Sequence, residues 1–221
     1  MDELTKQKIL NMIHDGYSNT EISKEVGYSN QHISAIKKKY YTTVRDMRGR
    51  STSRQIARFE KVPFGQFARD WREMIDADAD NGEIREIYDA IRLPVRATTG
   101  SAGYDFFSPM YLYIKPGQAR TFPSGIRVQM EDSWALMLIP KSSLGVKYRL
   151  NLSNSVGLID SDYYYAKNKG HIMIALVNNG DTVCVVEEGK ACMQGVFVEY
   201  GLTVDDQARA VRKGGFGSTG A

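Results

Sequence analysis

The chain has 221 residues, of which 42% are hydrophobic and 10% aromatic, and this composition excludes disorder throughout. No stretch approaches the roughly 20 uninterrupted apolar residues of a membrane span, so we expect no membrane insertion. The first residues, MDELTKQKIL, are charged and lack the apolar core of a secretory signal. We therefore expect a cytoplasmic protein.

The positive charge of the chain is concentrated near its start. Residues 1–50 contain nine basic residues (six Lys and three Arg) and six Asp or Glu, whereas residues 51–221 contain twenty of each sign. The net charge of +3 therefore comes from the first segment alone. This asymmetry indicates a polyanionic partner for the N-terminal part and none for the remainder.

Residues 1–42 have the hydrophobic spacing of three short helices. Apolar residues recur at i, i+3 and i+4, and a break at Gly27 precedes Ser29, a favourable N-cap residue for the last helix. Three short helices with a glycine turn before the last predict a small all-α helix-turn-helix domain. We expect residues 43–55, rich in Arg, Ser and Thr, to be a linker.

The N-terminal domain resembles the helix-turn-helix of resolvases and small phage regulators, which implies DNA binding and a phage-like or prophage-like protein. The start of the third helix would meet base edges, and a lysine run farther along would lie near phosphates. The candidate DNA-binding residues are Ser29, Asn30, Gln31, His32, Lys37, Lys38 and Lys39. The alternative is a three-helix packing or oligomerisation element.

A mainly β domain is predicted for residues 56–211. IARFEKV alternates like a strand, and two helices near residues 63–91 lie on either side of the acidic stretch DADADNGE. Short apolar or alternating runs then recur about every eight to twelve residues, a pattern typical of an all-β barrel or jelly roll. These runs are YLYI, GIRVQM, WALMLIP, HIMIALV, DTVCVV and CMQGVFVEY.

The acidic stretch has a simple structural interpretation. Asp76, Asp78 and Asp80 resemble the start of a calcium loop, but Asn81 replaces the glycine and Ile87 the glutamate that such a loop requires. We therefore expect a solvated loop.

Histidines and cysteines lack metal-ligand spacing. His14 and His32 lie in the helical domain, His171 lies at the start of a strand, and none has a partner at catalytic spacing. We expect structural or surface roles for them. Cys184 and Cys192 lie in strand-like segments and are expected to be reduced packing residues.

Two small-residue turns in the β domain indicate a phosphate-handling site. SAGYD (101–105) and PKSSLG (140–145) offer backbone amides, the hydroxyls of Ser142 and Ser143 and the charge of Lys141. Such groups bind phosphate oxygens, although each turn alone is ordinary.

Two further segments complete this set. GLIDSDY sets Asp160 and Asp162 beside Tyr163 in a tight loop. A hydrolase needs a carboxylate to hold and deprotonate a water, and an aromatic ring can lie against a sugar or base. The glycine-rich tail 212–221 predicts a flexible arm whose single aromatic, Phe216, would close over a nucleotide.

These segments occur in the order of the five motifs of the trimeric dUTPase family. SAGYD, PKSSLG, SNSVGLIDSDY, EGKACMQGVF and RKGGFGSTG carry the resemblance, which covers about residues 93–220. It implies a jelly-roll-like dUTPase barrel that assembles as a homotrimer, with each active site built from three chains. It also implies hydrolysis of dUTP to dUMP and pyrophosphate by attack of water at the α-phosphorus.

The resemblance implies roles for individual residues. Asp160 would be the general base that activates the water, and Tyr163 would lie under the deoxyribose and leave no room for a 2′-hydroxyl. Asn154 would lie in the strand whose backbone edge recognises uracil, and Phe216 would stack on the base. The expected substrate-binding residues are Lys141, Ser142, Ser143, Asn154, Gly157, Tyr163, Gln194, Arg212, Phe216, Gly217, Ser218 and Thr219.

Magnesium is the implied cofactor. Mg²⁺ commonly binds substrate phosphates with waters filling its coordination shell, and it neutralises the oxygens during in-line attack. Asp105 matches an acidic position near this metal and would contact it through water.

The sequence departs from the family pattern at three places. Lys141 stands where an arginine is usual, which keeps the charge but loses the fork geometry. The arm is one residue shorter than usual between Arg212 and Phe216, which leaves open whether Arg212 reaches the γ-phosphate. The insertion AKNK (166–169) lengthens the hairpin before Gly170.

Two other functions compete with pyrophosphatase activity. A dCTP deaminase, a structural relative, would have its catalytic glutamate five residues after the hairpin glycine. Counting from Gly170 gives Ala175, which cannot transfer a proton, so deamination is disfavoured. Alternatively, the β domain could sense dUTP for a DNA-binding regulator, and DNA binding that changes with dUTP would identify this role.

Overall fold

The structure of the protein, a computed structural model, describes residues 2–14, 17–47, 54–210, 212 and 214. The chain divides into two compact units, Met1–Arg54 and Gln55–Ala221. Each unit has its own hydrophobic core. Within the described ranges, no helix is both long and apolar enough to cross a bilayer.

Three helices form the N-terminal unit: α1 (Glu3–His14), α2 (Asn19–Val26) and α3 (Asn30–Met47). Its core contains four isoleucines, each at most 1% exposed: Ile9, Ile13, Ile22 and Ile33. Ser18 and Glu21 form a capping box at the start of α2, and Gly27 ends this helix in the left-handed conformation. Ser29 Oγ accepts a hydrogen bond from the N–H of His32 at 3.3 Å. The three helices, the glycine turn and the N-cap residue of α3 are therefore as the sequence predicts.

The third helix is longer than its sequence pattern suggests. It continues to Met47, into the range 43–55 that was predicted as a linker. The physical reason is that no Gly or Pro occurs between Asn30 and Met47, and the first glycine afterwards is Gly49. A composition rich in Thr and Arg therefore does not end the helix.

The second unit contains all twelve strands of the described residues, which are short. They are β1 (Ala57–Lys61), β2 (Val95–Arg96), β3 (Tyr104–Phe107), β4 (Leu112–Ile114), β5 (Ala119–Pro123), β6 (Ile126–Met130), β7 (Trp134–Pro140), β8 (Leu150–Leu152), β9 (Gly157–Asp160), β10 (Met173–Asn178), β11 (Cys184–Val186) and β12 (Ala191–Glu199). The helices of this unit are α4 (Phe64–Met74), α5 (Asn81–Ala90), α6 (Ser142–Tyr148) and a 3-10 helix (Ser161–Tyr165). The predicted mainly β domain and its two early helices are confirmed.

The strands pair in antiparallel fashion throughout the described residues. The largest sheet has the order β2-β3-β12-β7-β9, and a second has the order β5-β10-β8. Two strand pairs, β1-β6 and β11-β4, complete the unit. The sheets enclose one core whose fully buried side chains include Phe106, Phe122, Leu136 and Leu138.

Helices α4 and α5 pack on this core through an amphipathic face. Phe67 on α4 and Ile84 on α5 are both fully buried. Asp80 caps α5 by accepting hydrogen bonds from the backbone N–H groups of Gly82 and Glu83. The three aspartates of the acidic stretch are exposed, which agrees with the predicted solvated loop.

Both cysteines are free and buried, as predicted. Cys192 lies inside the largest sheet, and burial raises the pKa of its thiol to about 12. Burial also raises the pKa of Cys184. The thiols therefore stay protonated and pack as small apolar groups.

Asn178 is a buried polar residue that ties together the ends of several strands. Its side-chain amide donates to the carbonyl oxygens of Ile114 and Thr182, both at 2.8 Å, and its Oδ1 accepts from the N–H of Gly180 at 3.0 Å. The residue is 0% exposed. Its loss would leave buried polar backbone groups without these partners.

We expect Asn178→Ala to lower the free energy of unfolding by about 2–4 kcal/mol, because several buried polar groups lose their partners together. Chemical denaturation measures this change. The control is Asn179→Ala at the exposed neighbouring position, which should have little effect. An Asn178 variant as stable as the Asn179 variant would contradict the assigned role.

Candidate active site

The first group of candidate residues lies where β9 ends. Asp160 is the last residue of β9 and pairs with Ala135 of β7, and the 3-10 helix Ser161–Tyr165 follows directly. The segment is therefore a strand and a helical turn, where the sequence predicted a tight loop. The side chain of Asp160 is 41% exposed, so a solvent molecule can reach its carboxylate.

Arg212 covers this group from the C-terminal side. Its guanidinium forms ion pairs with Asp160 and with Asp162, the latter at 2.7 Å from Nε to Oδ1. The guanidinium carbon also lies 5.7 Å from the centre of the Tyr163 ring. Arg212 thus contacts the carboxylates of its own chain, a contact that the expected phosphate-binding role did not include.

The hydroxyl of Tyr163 makes two hydrogen bonds that hold the ring in place. It is 3% exposed, and its hydroxyl donates to the backbone carbonyl of His171 at 2.8 Å and accepts from the amide of Asn168 at 2.7 Å. Burial raises the pKa of this phenol, so it remains a neutral donor. The insertion that contains Asn168 therefore supports the ring.

His171 is fully buried and precedes β10, where the sequence placed it at the start of a strand. Its Nδ1 lies 2.5 Å from Asp70 Oδ2, and its Nε2 accepts from the backbone N–H of Gly125 at 2.8 Å. The predicted structural role is confirmed, but the partner on α4 was missed. Gln66 and Asp70 are polar residues four positions apart on the same helix as buried Phe67, and this spacing was the available signal.

A second group of candidate residues surrounds Asp105 on β3. Lys141 Nζ lies 2.9 Å from one carboxylate oxygen, and the Gln194 amide donates to the other at 2.8 Å. A Cβ on Gly103 would lie 3.4 Å from Gln194 Cδ, so this glycine packs closely against the amide. The structure thus brings together Lys141 and Gln194, which were expected to bind phosphate, and Asp105, which was expected near the metal.

The segment PKSSLG is a helix start and not the predicted turn. α6 begins at Ser142, and the hydroxyl-bearing Ser142 and Ser143 are exposed in its first turn beside Lys141. Serine is favourable at helix starts, which explains why a small-residue segment becomes helical here. Both serines are therefore accessible to a ligand, and they follow Lys141 directly in the chain.

Asn154 lies before strand β9, and Gly157 is the first residue of this strand. Asn154 occupies the turn between β8 and β9, whereas the resemblance led us to expect it in a strand. The turn forms because Ser155 has a φ of 66° and its N–H donates to the carbonyl of Leu152. Gly157 lies on β9, where an added Cβ would be 3.1 Å from Leu138 Cβ, so glycine lets β9 approach β7 closely.

The two groups of residues are far apart within one chain. Asp160 pairs with Ala135 of β7 on one edge, and Gln194 pairs with Ile139 of β7 on the other edge. The backbones of Asp160 and Gln194 are therefore separated by roughly 14 Å along the strand direction and roughly 10 Å across the sheet. Together these give a distance of about 17 Å. One chain therefore does not bring both groups to a single phosphate.

Other candidates are placed as follows. Phe216, Gly217, Ser218 and Thr219 of the predicted arm lie outside the described residues.

Among the described residues there is no group of three or more His, Cys, Asp or Glu arranged to hold a metal ion. Asp105 has two of its roughly four lone-pair sites engaged by Lys141 and Gln194, so it can still accept from a metal-bound water.

The candidate DNA-binding residues lie along α3. Ser29, Asn30, Gln31 and His32 are exposed at its start, as are Lys38 and Lys39 farther along. Lys37 differs from the expectation because its ammonium donates to the carbonyl of Tyr17 at 3.1 Å and links α3 to the residues before α2. His32 stacks on Tyr28 with ring centres 4.9 Å apart.

Comparison with known proteins relates these features to a family. The family model described as dUTPase matches residues 89–220, more than half of the 221-residue chain. Two enzymes named deoxyuridine 5′-triphosphate nucleotidohydrolase are similar, one from Lactococcus lactis at 39% identity over 134 residues and one from Paraburkholderia phytofirmans at 38% over 137 residues. The matches cover 59% and 58% of this chain and 89% of each relative.

A solved structure, the dUTPase from Streptococcus mutans, is also similar. Its sequence is 32% identical, and the superposition covers 67% of this chain and 98% of that one with a TM-score of 0.49. The matched range 89–220 contains every candidate residue of both groups around Asp160 and Asp105. The chain belongs to the dUTPase family.

Proposed function

We propose that the protein hydrolyses dUTP to dUMP and pyrophosphate. The observation that carries this proposal is the accessible carboxylate of Asp160, which ends β9 beside the immobilised ring of Tyr163 in a chain of the dUTPase family. Asp160 accepts a proton from water as that water attacks the α-phosphorus. The bond from this phosphorus to the bridging oxygen breaks, and pyrophosphate leaves.

Tyr163 supplies the surface for the sugar. Its hydroxyl is engaged by His171 and Asn168, which fixes the ring, and the guanidinium of Arg212 lies over it. Tyr163 is 3% exposed, so the face near Arg212 becomes available to a ligand when this arginine moves to the phosphates. A deoxyribose fits against this face, whereas the 2′-hydroxyl of a ribose would press against it. The position of the Tyr163 ring therefore determines the preference for deoxyribose over ribose.

The group around Asp105 suits the phosphate end of the substrate. Lys141 provides positive charge, and Gln194, Ser142 and Ser143 provide hydrogen-bond donors. When bound, Mg²⁺ neutralises the charge that develops on the phosphate oxygens. Asp105 would orient waters of the Mg²⁺ shell through its remaining lone pairs.

A homotrimer explains how the two groups can act on one nucleotide. About 17 Å separates the Asp160 and Gln194 backbones within a chain, whereas contacts to the phosphates of one substrate must lie within a few ångströms of each other. A neighbouring copy supplies the missing half in a closed symmetric assembly. Exposed apolar side chains suit such an interface, and they include Val146 on α6, Val156 before β9 and Leu158 on β9.

Arg212 would change its partner when the substrate binds. Its guanidinium pairs with Asp160 and Asp162, and a triphosphate offers it a stronger anionic partner. Its transfer to phosphate would free Asp160 to accept a proton. The arm that follows, with Phe216, would then cover the base and exclude bulk water.

DNA binding by the N-terminal unit is a second function. It is favoured by the exposed polar residues at the start of α3, by exposed Lys38 and Lys39, and by the excess of positive charge in residues 1–50. Several copies on one trimer would increase the apparent affinity. The alternative role, a DNA-binding regulator that senses dUTP, would require in addition that binding of dUTP changes the affinity for DNA. Deamination stays disfavoured because Ala175 on β10 carries no proton-transfer group.

We expect Asp160→Asn to lower kcat for dUTP by about 10²–10⁴-fold and to leave nucleotide binding largely intact, because the amide keeps the shape but cannot take the proton. Pyrophosphate release and nucleotide titration measure the two effects. Asp162→Asn is the matched control, since it also loses an ion pair with Arg212 but is not the proposed base. Turnover of the Asp160 variant at the wild-type rate excludes Asp160 as the base.

We expect inactive variants of the two groups to complement each other. Asp160→Asn and Gln194→Ala, unfolded and refolded together, should recover about a quarter of the wild-type sites if each site takes its two halves from different chains. If one chain formed a complete site, every site in the mixture would carry one defect. Each variant refolded alone is the control, and an absence of recovery in mixed trimers would exclude shared sites.

Deletion of residues 1–54 should leave dUTP hydrolysis unchanged, because the second unit has its own core and contains the catalytic residues. The same deletion should abolish DNA binding in a gel shift. In the full chain, the pair Lys38→Ala and Lys39→Ala should reduce the salt dependence of binding by about 2 in slope, about 1 for each phosphate contact. DNA binding by the truncated chain would contradict the assignment to α3.

A further inference from the structure

A buried pair of side chains joins helix α4 to the catalytic segment. His171 is 0% exposed and its partner Asp70 has a side chain that is 9% exposed. His171 Nε2 accepts from the backbone N–H of Gly125. The proton of the neutral imidazole must therefore lie on Nδ1, which donates it to Asp70 at 2.5 Å.

Asp70 is itself fixed by its own helix. The amide nitrogen of Gln66 lies 2.9 Å from each of its carboxylate oxygens. Phe67 on the same helix is fully buried, and its ring centre lies 6.0 Å from that of His171. The imidazole is therefore held by hydrogen bonds at both nitrogens and by an aromatic contact, which leaves it a single orientation.

The backbone of His171 connects this buried pair to the candidate active site. Its carbonyl oxygen accepts from the Tyr163 hydroxyl at 2.8 Å and from the Asn168 amide at 3.1 Å. The Tyr163 hydroxyl is therefore anchored to the backbone carbonyl of His171, and the imidazole of His171 determines where this carbonyl lies. Movement of His171 would move the ring against which the sugar lies.

The carboxylate that starts this chain of contacts lies outside the part of the protein that matches the family model. The match begins at residue 89, whereas Asp70 belongs to α4 (Phe64–Met74). A helix that precedes the matched domain therefore reaches into it and contacts its catalytic segment.

We propose that Asp70 is a positioning residue for the reaction, which acts through His171 to hold Tyr163 and thereby sets the preference for deoxyribose over ribose. This inference rests on the proposed function, in which Tyr163 lies against the sugar. Without the acceptor on Asp70, the buried Nδ1–H of His171 has no partner. The imidazole then reorients, and the carbonyl that anchors Tyr163 shifts with it.

The experiment compares kcat and KM for dUTP and UTP in the full chain. Asp70→Ala should lower the ratio of kcat/KM values for dUTP over UTP by about tenfold or more, because small displacements of a substrate-contacting group have large effects on rate. Asp70→Asn keeps an acceptor for Nδ1–H and should restore most of the ratio. An unchanged ratio in Asp70→Ala, or no rescue by Asn, would overturn the proposal.

Arg72→Ala is the matched control on the same helix. Its guanidinium donates to the carbonyl of Ala79 at 3.0 Å and to Asn81 at 2.7 Å, so this variant also loses two hydrogen bonds of α4 without touching His171. We expect it to lower the melting temperature and to leave the dUTP-to-UTP ratio unchanged. An equal change of the ratio in both variants would assign the effect to general loosening of α4 and overturn the proposal.

Hydrogen exchange provides a readout that does not depend on catalysis. Asp70→Ala should accelerate amide exchange in residues 161–172, and Arg72→Ala should not. If the wild-type protein failed to hydrolyse dUTP, the proposed function would fail while this exchange measurement still decided whether Asp70 positions the segment. If the wild type is active but exchange in Asp70→Ala matches the wild type, the positioning role alone is excluded.

Discussion

Strand β7 imposes the constraint on which the rest of the site depends. It is hydrogen-bonded along both edges, to β12 and to β9, so the distance between the residues carried by these neighbours is fixed by backbone geometry. Close packing reinforces this rigidity, because a Cβ on Gly195 would lie 2.9 Å from Leu136 and one on Gly157 would lie 3.1 Å from Leu138. The two halves of the site cannot approach each other by bending, and this is why we propose a trimer in which a second chain unites them.

Each half of the site pairs its carboxylate with a cation of the same chain. Asp105 pairs with Lys141, and Asp160 pairs with Arg212. An incoming triphosphate competes for these cations, so binding exchanges ion pairs and does not leave a cation buried without a partner. In the reaction that we propose, the carboxylates released by this exchange would face the attacking water and the waters of the Mg²⁺ shell. These two ion pairs thus prepare the two carboxylates for the roles that we propose.

Local patterns in the sequence predicted the local structure well. The alternating runs are strands, and the two amphipathic segments before residue 92 are helices. The hydrogen bond between Asp70 and His171 spans 101 positions and depends on how α4 packs against the sheet, which no short pattern encodes. The helical start after Lys141 was missed for a different reason, since serine occurs in turns and helix starts alike.

The Asp70–His171 pair is hard to explain by stability alone. Burial of a carboxylate and an imidazole has a desolvation cost, and apolar side chains of similar volume commonly stabilise a core as well or better. A hydrogen bond adds direction, because it defines the angle of the imidazole, whereas apolar contacts tolerate rotation. Direction matters only where a neighbouring group must keep its orientation. In this chain that group is Tyr163, whose hydroxyl is bonded to the backbone of His171.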